Sequence, residues 1–189
     1  MFFNILLYMK SSYNSNINYG DLISGITFVM NPKNILEIGI LEGFSLKTFI
    51  DNSSPTTKID AYDIFDEFNG NSANKDLLLQ RFSQHKNVNI DYGDFYKIHN
   101  NILDNSIDII HIDIANNGET YEYAINNYIS KLTKNGILIL EGGSKERDNI
   151  EWMNKYNKPK IKPIIEKYSN KYNFKTLGNI PSITLVQII

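Results

Sequence analysis

The clearest candidate for chemistry in this sequence is a turn near residue 40 that is bracketed by two glycines. It reads Leu36-Glu-Ile-Gly-Ile-Leu-Glu-Gly-Phe-Ser45, with Gly39 and Gly43 on either side of the turn. Glycine lets a backbone approach a ligand closely, and the start of a helix offers N–H groups that no helical carbonyl accepts. The spacing is Gly-x3-Gly and not the Gly-x-Gly-x-x-Gly of dinucleotide-binding folds. The turn therefore indicates either a different binding loop or a plain strand–helix turn that needs glycine.

Two acidic positions further along the chain fit a nucleoside ligand. Asp63 ends a second predicted strand, where a carboxylate can accept hydrogen bonds from both hydroxyls of a ribose. Asp94 follows a third strand and can accept from an exocyclic amine, and Phe95 beside it can face an adenine ring. A single acid past a strand usually caps a helix. The glycine turn and these two acids follow three successive strands in register, which favours a shared site.

The elements that must position these residues follow from the hydrophobic pattern. Short apolar runs alternate with helical stretches, which predicts an α/β fold with a mostly parallel sheet and a terminal strand pair. Ligands of such sheets bind beyond the carboxyl ends of the strands. Strands are predicted at 34–39, 58–63, 87–91, 106–113, 137–141, 174–178 and 182–189. Helices are predicted at 21–30, 44–51, 74–85, 96–103, 120–132, 149–157 and 160–172, with a turn at 134–136.

Later strands end on further candidate residues. Asp113 ends the fourth predicted strand and Glu141 ends the fifth. His111 lies two residues before Asp113 and therefore on the same face of its strand. A buried structural histidine and a general base both fit that position. Trp152 either walls an acceptor pocket or belongs to the core.

The stretch 20–143 resembles the class I S-adenosylmethionine-dependent methyltransferases. It is most similar to small-molecule O-methyltransferases of the catechol and caffeoyl-coenzyme A type and to related enzymes that act on sugar hydroxyls. The resemblance implies a Rossmann-like, doubly wound, seven-stranded sheet. It is carried by Tyr19-Gly-Asp-Leu22, by the segment 34–45, by the acids at 63 and 94, by Ile109-Ile-His-Ile-Asp113 and by Lys134-Asn-Gly-Ile-Leu-Ile-Leu-Glu141.

The resemblance implies S-adenosylmethionine as the methyl donor and a hydroxyl group of a small molecule as the acceptor. Catalytic roles are implied for Asp113 and His111. Cofactor contacts are implied for Glu37, Gly39, Gly43, Ser45, Asp63, Asp94, Phe95 and Asp113.

The resemblance also implies a metal site. In that family, the acid ending strand four and an Asp-Asn pair ending strand five hold a divalent cation, which lowers the pKa of the acceptor hydroxyl. Asp113 matches the first position, whereas Glu141-Gly142 stands where Asp-Asn would. The family's lysine base is absent here, and Glu119 in the following loop could supply a further carboxylate. Asp113 and Glu141 are thus the implied ligands of Mg²⁺ or another divalent cation, unless they cap helices in a degenerate site.

Length, charge and composition limit which classes of function remain. A length of 189 residues predicts a single domain over 1–189. The 19 basic and 21 acidic residues give a net charge of −2, which argues against a nucleic-acid binder that relies on bulk positive charge. With no cysteine, the chain has no disulfide, zinc knuckle or thiol nucleophile, and it fits a cytoplasmic setting. The lysines between 155 and 175 indicate a solvated helical face or a site for an anionic acceptor.

The segment 1–19 begins with an apolar run. That run lacks a preceding basic residue and a small-x-small cleavage site, and it is far shorter than a membrane span. We therefore expect a packing segment or a homodimer contact rather than a targeting or membrane segment.

The sequence is consistent with two functions of different classes. One is methyl transfer to a small-molecule hydroxyl. The other is a catalytically degenerate module that keeps the fold and the cofactor. The missing asparagine and lysine motivate the second. A nucleic-acid methyltransferase is disfavoured, because the Asn-Pro-Pro-Tyr type of motif is absent.

Overall fold

The computed structural model describes residues 9, 11, 19–65, 71 and 73–189. The chain divides into two compact units, residues 1–98 and 99–189. This division does not test the predicted single domain, which stays a prediction. The predicted N-terminal packing or dimer segment falls almost entirely outside the described residues, although Met9 within it is buried. In the described part of the chain, no helix has the length and apolar character needed to cross a membrane.

Helices and strands alternate along both units, as the hydrophobic pattern predicts. The first unit contains α1 (Tyr19–Met30), β1 (Asn34–Ile38), α2 (Phe44–Asn52), β2 (Lys58–Asp63), α3 (Lys75–Arg81), β3 (Val88–Tyr92) and α4 (Phe95–Ile98). The second contains β4 (Ile107–Ile112), α5 (Gly118–Tyr128), β5 (Leu132–Glu141), α6 (Glu151–Lys155), α7 (Lys162–Tyr168), β6 (Tyr172–Gly178) and β7 (Ser182–Ile188). Single 3₁₀ turns cover His99–Asn101, Ile129–Lys131 and Arg147–Asn149.

The first unit is built on three parallel strands. β1 pairs with β2 from Asn34 opposite Lys58, and β2 pairs with β3 from Ile59 opposite Val88. After its first residue β1 is buried throughout, as its almost continuous apolar run predicts. The buried side chains of α1 and α2, including Ile23 and Phe49, belong to the core of this unit. Parallel pairing brings the carboxyl ends of the three strands to one edge, where the glycine turn and the two acids follow.

The second unit joins a parallel pair to an antiparallel one. β4 pairs with β5 in parallel, and β7 pairs antiparallel with both β5 and β6. The turn predicted at 134–136 is instead an irregularity inside β5. The partner of Ile107 is Leu132, but the partner of Ile109 is already Ile137, so the intervening residues bulge out of the ladder.

The strand order of the sheet is β3-β2-β1-β4-β5-β7-β6. This is the Rossmann-like, doubly wound, mixed seven-stranded arrangement that the resemblance implies, so the predicted fold class is confirmed. The differences lie at element ends. α3 ends at Arg81 rather than at 85, and α7 ends at Tyr168 rather than at 172. Tyr172 pairs with Ile188, so it begins β6 rather than ending a helix.

Candidate active site

The glycine turn of the first unit has a left-handed backbone at both glycines. φ is 91° at Gly39 and 85° at Gly43, which precedes α2. A Cβ added at Gly43 would lie 2.8 Å from Cε2 of Phe82 and 3.1 Å from Cδ2 of Leu78. Packing against α3 and the positive φ together therefore require glycine at position 43. The need for glycine here is explained by the fold, and a close approach to a ligand remains a prediction.

Asp63 fastens this turn to the end of β2. Its Oδ2 accepts hydrogen bonds from the backbone N–H groups of Ile40, at 2.7 Å, and Leu41, at 3.2 Å. Its Oδ1 accepts from the N–H of Phe65, at 2.8 Å, and from Nδ2 of Asn71, at 2.6 Å. The side chain is buried. Because four donors surround this carboxylate, its position is fixed before any ligand binds.

Glu37 and Ser45 meet beneath the same turn. Glu37 lies in β1 and Ser45 in the first turn of α2, and both are buried. The Ser45 hydroxyl donates to Oε1 of Glu37. This contact ties the strand to the helix that follows the glycine turn. The two predicted cofactor residues therefore lie together, and their contact with a cofactor stays a prediction.

Asp94 caps the short helix α4. Its Oδ1 accepts from the N–H of Tyr96 at 2.9 Å, and Lys97 Nζ lies 3.1 Å from its Oδ2. Burial raises the pKa of the carboxyl, but the Tyr96 N–H and the Lys97 ammonium outweigh it and leave the pKa lowered. Phe95 is buried, with its ring 4.9 Å from that of Tyr96 in an edge-on contact. The capping role is thus present, and the predicted adenine-side role stays a prediction.

In the second unit, the ends of β4 and β5 carry a cluster that sequence reasoning anticipated only in part. Asp113 follows β4 directly and is half-buried, and Glu141 is the last residue of β5 and is buried. Arg147 pairs with Glu141 through two hydrogen bonds, Nε to Oε1 at 2.7 Å and Nη2 to Oε2 at 3.0 Å. The Arg147 side chain is 9 % exposed and that of Glu141 is 6 % exposed. This is a buried, bidentate ion pair.

The charges of this cluster act on one another. Burial raises the pKa of the Glu141 carboxyl to about 7, against the hydrogen bonds from Arg147, and the nearby charge of Asp113 raises it further. Burial lowers the pKa of Arg147, but the bond to Glu141 more than offsets that effect and leaves it raised. The guanidinium therefore stays charged, and Asp113 lies close enough to influence both partners.

Asn116 connects the loop after β4 to the end of β5. Its Nδ2 donates to the carbonyl oxygens of Ile112, at 3.0 Å, and Glu141, at 2.9 Å. The backbone carbonyl oxygen of Asn116 accepts from Nη2 of Arg147 at 3.3 Å. Among the described residues, Oδ1 of Asn116 and Nη1 of Arg147 are buried polar atoms without a hydrogen-bond partner. Each is a group for which a native structure requires an explanation.

The residues present do not fit the predicted divalent cation. Both carboxylate oxygens of Glu141 already accept from Arg147. Gly142 has a φ of 99°, and a Cβ added there would lie 2.8 Å from Cδ1 of Ile161, so a side chain that could bind metal would be strained at this position. In the part of the chain that the structure describes, no three His, Cys, Asp or Glu residues are grouped to hold a metal ion. The Glu119 side chain is exposed. We therefore derive no step through a cation.

The other candidates of this unit have contrasting surroundings. His111 is fully buried within β4, opposite Ile139 of β5. Its base role stays a prediction. Trp152 is half-buried in α6, with Cζ of Arg147 5.9 Å and Nζ of Lys158 5.8 Å from its ring. Trp152 is therefore flanked by two cations.

Sequence reasoning missed Arg147 and Asn116. Arg147 lies in a 3₁₀ turn, outside any strand end. The available signal was compositional, because Arg147 and Arg81 are the two arginines of a chain rich in lysine. Arginine presents a planar fork that binds a carboxylate with two bonds, which lysine cannot do.

The strand order, the glycine turn and the acids after successive strands together define a methyltransferase of class I. The chain belongs to the O-methyltransferase family, which it matches over residues 8–175. The match confirms the sequence-based identification as an S-adenosylmethionine-dependent methyltransferase. No curated protein matches the chain.

Solved structures of similar fold include three methyltransferases of low sequence identity. An O-methyltransferase from Bacillus cereus in complex with SAH is 17 % identical, with 95 % of this chain and 84 % of that one covered and a TM-score of 0.67. An SAH-bound methyltransferase from Podospora anserina is 15 % identical, with coverage of 93 % and 80 % and a TM-score of 0.65. The O-methyltransferase TomG from Streptomyces achromogenes, involved in tomaymycin synthesis and in complex with SAM, is 12 % identical, with coverage of 93 % and 82 % and a TM-score of 0.67.

Proposed function

We propose that this protein transfers the methyl group of S-adenosylmethionine to a hydroxyl oxygen of a small molecule. The observation that carries the proposal is the fixed turn of the first unit, in which Asp63 holds the backbone of Ile40 and Leu41 beside Gly39 and Gly43. A cofactor site gains affinity when its loop is already ordered, because less conformational entropy is lost on binding. The SAH and SAM complexes of the similar structures support the choice of cofactor.

In the proposed reaction, the acceptor oxygen attacks the methyl carbon, the carbon–sulfur bond breaks, and the sulfonium leaves as a neutral thioether. The hydroxyl proton must pass to a base. We assign it to Asp113, which is half-buried at the end of β4, and not to His111, which is fully buried in the strand. An acceptor oxygen held in line with the donor accounts for much of the rate enhancement in such reactions.

Cofactor binding is tested by calorimetric titration with SAH. The wild type and Asp63→Asn are compared with Asp91→Asn, a control in which an exposed acid of β3 is changed. We expect the wild type and the control to bind equally, and Asp63→Asn to bind at least about tenfold more weakly, because the turn that the Asp63 carboxylate fixes is weakened. Melting temperatures separate these effects from loss of folding. No binding by the wild type at millimolar SAH would remove the proposal.

The role of Asp113 is tested by Asp113→Asn with a panel of small hydroxyl compounds, following SAH release. We expect turnover to fall about 10²–10³-fold with little change in SAH affinity, because the lost interaction strengthens only as the oxygen becomes nucleophilic. Asp108→Asn is the matched control, since Asp108 lies near the other end of β4 and accepts from Thr133 at 2.9 Å. Normal turnover by Asp113→Asn would leave that residue a structural role only.

A second candidate is a module that binds the cofactor without catalysis. It is favoured by one observation, the occupied carboxylate of Glu141 at the predicted metal position. SAH binding by the wild type, without release of SAH from S-adenosylmethionine on any compound of the panel, is the expected result for this alternative.

A further inference from the structure

Arg147 bridges the same two strand ends at which a divalent cation was predicted. Its Nε and Nη2 bind the two carboxylate oxygens of Glu141, the last residue of β5. Its Nη2 also donates to the carbonyl of Asn116, in the loop that follows β4. The charge of Asp113 acts on both members of the ion pair. One guanidinium therefore links the end of β5 to the β4 loop, as an ion bound by Asp113 and Glu141 would do.

A guanidinium and a metal ion are exclusive occupants of this position. A hard cation needs carboxylate oxygens with free lone pairs directed at it. Those of Glu141 are directed at two N–H donors, and the positive φ at position 142 would strain any residue with a metal-binding side chain there. Unlike a bound ion, the guanidinium is covalently part of the chain, carries its charge at every relevant pH and cannot be chelated.

One feature stays unexplained if the ion pair between Arg147 and Glu141 only stabilises the fold. Nη1 of Arg147 is buried and has no hydrogen-bond partner among the described residues. An unpartnered donor on a charged group destabilises the fold, so a pair selected only for stability is expected to satisfy it. The ring of Trp152 near Arg147 adds an aromatic wall to the same cluster.

We propose that Arg147 replaces the divalent cation at the ends of β4 and β5, so that this protein works without added metal. Arg147 is then a positioning residue, which holds Glu141 and the β4 loop beside Asp113. The inference deepens the proposed function, and its catalytic consequence rests on that function. The exchange of guanidinium for metal is testable by itself.

The test is whether removal of the guanidinium creates a metal site. Mn²⁺ binding is followed by electron paramagnetic resonance and by melting temperature, in the wild type and in Arg147→Met. We expect the wild type to respond neither to Mn²⁺ nor to EDTA. In Arg147→Met, the Glu141 carboxylate loses both guanidinium donors and the positive charge near Asp113 is gone, so we expect at least a tenfold gain in Mn²⁺ affinity and a rise in melting temperature with Mn²⁺. The gain should vanish in Arg147→Met with Asp113→Asn.

Three further variants separate charge from packing. Arg147→Lys keeps the positive charge and should gain no Mn²⁺ binding, whereas a gain equal to that of Arg147→Met would overturn the inference. Arg147→Gln removes the charge and keeps a polar side chain, and it should respond to Mn²⁺ as Arg147→Met does. Lys145→Met removes an exposed cation of the same segment and should behave as the wild type.

Two results of the Mn²⁺ experiment with the wild type and Arg147→Met would refute the inference. One is tight Mn²⁺ binding by the wild type that Asp113→Asn abolishes, since the metal and Arg147 would then coexist. The other is an Arg147→Met variant that gains no affinity. If Arg147→Met is insoluble, it is refolded with and without Mn²⁺. Recovery that depends on Mn²⁺ supports the inference, and failure in both conditions overturns it.

The proposed function fails separately from this inference. Absence of SAH binding by the wild type counts against the proposed function and leaves the metal experiments as they are. Once an acceptor is found, the inference expects a rate that is unchanged by EDTA. A rate that EDTA lowers at least tenfold and Mg²⁺ restores would refute the inference while supporting methyl transfer.

Discussion

Removal of Arg147 should cost this protein a large part of its stability. The variant Arg147→Met leaves the Glu141 carboxylate buried, 6 % exposed, without the donors that now lie 2.7 and 3.0 Å from its oxygens. Breaking a buried pair in this way costs about 3–5 kcal/mol, because the carboxyl left behind has neither its hydrogen-bond donors nor its counter-charge in a poorly polar environment. For a chain of this length, 1 kcal/mol corresponds to roughly 2–4 °C in melting temperature. We therefore expect a decrease of about 6–20 °C.

The double variant Glu141→Gln with Arg147→Met separates the interaction energy of the ion pair from the contributions of the two single side chains. Replacing a buried ion pair by hydrophobic residues of similar size is often nearly neutral in stability, and the Gln–Met combination likewise leaves no unpaired charge. We expect the double variant to recover at least about 2 kcal/mol relative to the sum of the two single losses. Urea unfolding followed by circular dichroism measures all four proteins.

A surface ion pair is the control for this reasoning. Lys75 and Asp91 are 2.6 Å apart, as close as the buried pair, but their side chains are 38 % and 57 % exposed. Lys75→Met should cost less than about 1 kcal/mol, because solvent already screens the pair. A loss for Arg147→Met no greater than that for Lys75→Met would refute the argument, as would strict additivity in the double variant.

Three further outcomes follow from the described contacts. Since burial raises the folded-state pKa of Glu141 from an ordinary 4.5 to about 7, the folded protein binds the extra proton, and stability should fall as pH rises from about 4.5 to 7. Urea unfolding at pH 5 and pH 7.5 should show this loss, about 1–3 kcal/mol, in the wild type and not in Glu141→Gln. Gly43→Ala should lower the free energy of unfolding by about 1–3 kcal/mol and weaken SAH binding, because the new Cβ would lie 2.8 Å from Phe82 at a φ of 85°. An unchanged free energy of unfolding would contradict this account. Asp148→Ala should lower the melting temperature by roughly 4–12 °C, because the buried carboxylate accepts from the N–H groups of residues 161 and 162 at the start of α7. An unchanged melting temperature would exclude that role.

Asp63 shows how one residue can satisfy both the fold and the proposed chemistry. The sequence predicts it as a ribose ligand, and the structure gives its carboxylate four protein donors. These donors fix the glycine turn that the proposed cofactor site needs. Asp63→Asn is therefore expected to act on SAH affinity through the turn as well as through any direct contact, which is why melting temperatures accompany its titration.

The local pattern of apolar and polar residues was sufficient to predict the class of fold and most strand positions. An almost continuous apolar run such as that of β1 is typical of a strand buried on both faces, and β1 is such a strand. The glycines at positions 39 and 43 permit the left-handed backbone of the turn, since glycine adopts it without steric cost. Element ends were less predictable, because pairing partners extend or shorten a segment, as Ile188 does for Tyr172.

The candidate acceptor site was decided by tertiary structure. Glu141 and Asp113 were visible in the sequence as acids that end strands, and the family resemblance implied a metal site there. The actual partner of Glu141 is Arg147, which lies six positions further along the chain but is folded back onto it through a 3₁₀ turn. Nothing in the spacing of these residues reports that both oxygens of Glu141 accept from one buried guanidinium. Burial and the choice of hydrogen-bond partner depend on how distant segments pack, whereas periodicity and turn chemistry are properties of neighbours in the sequence.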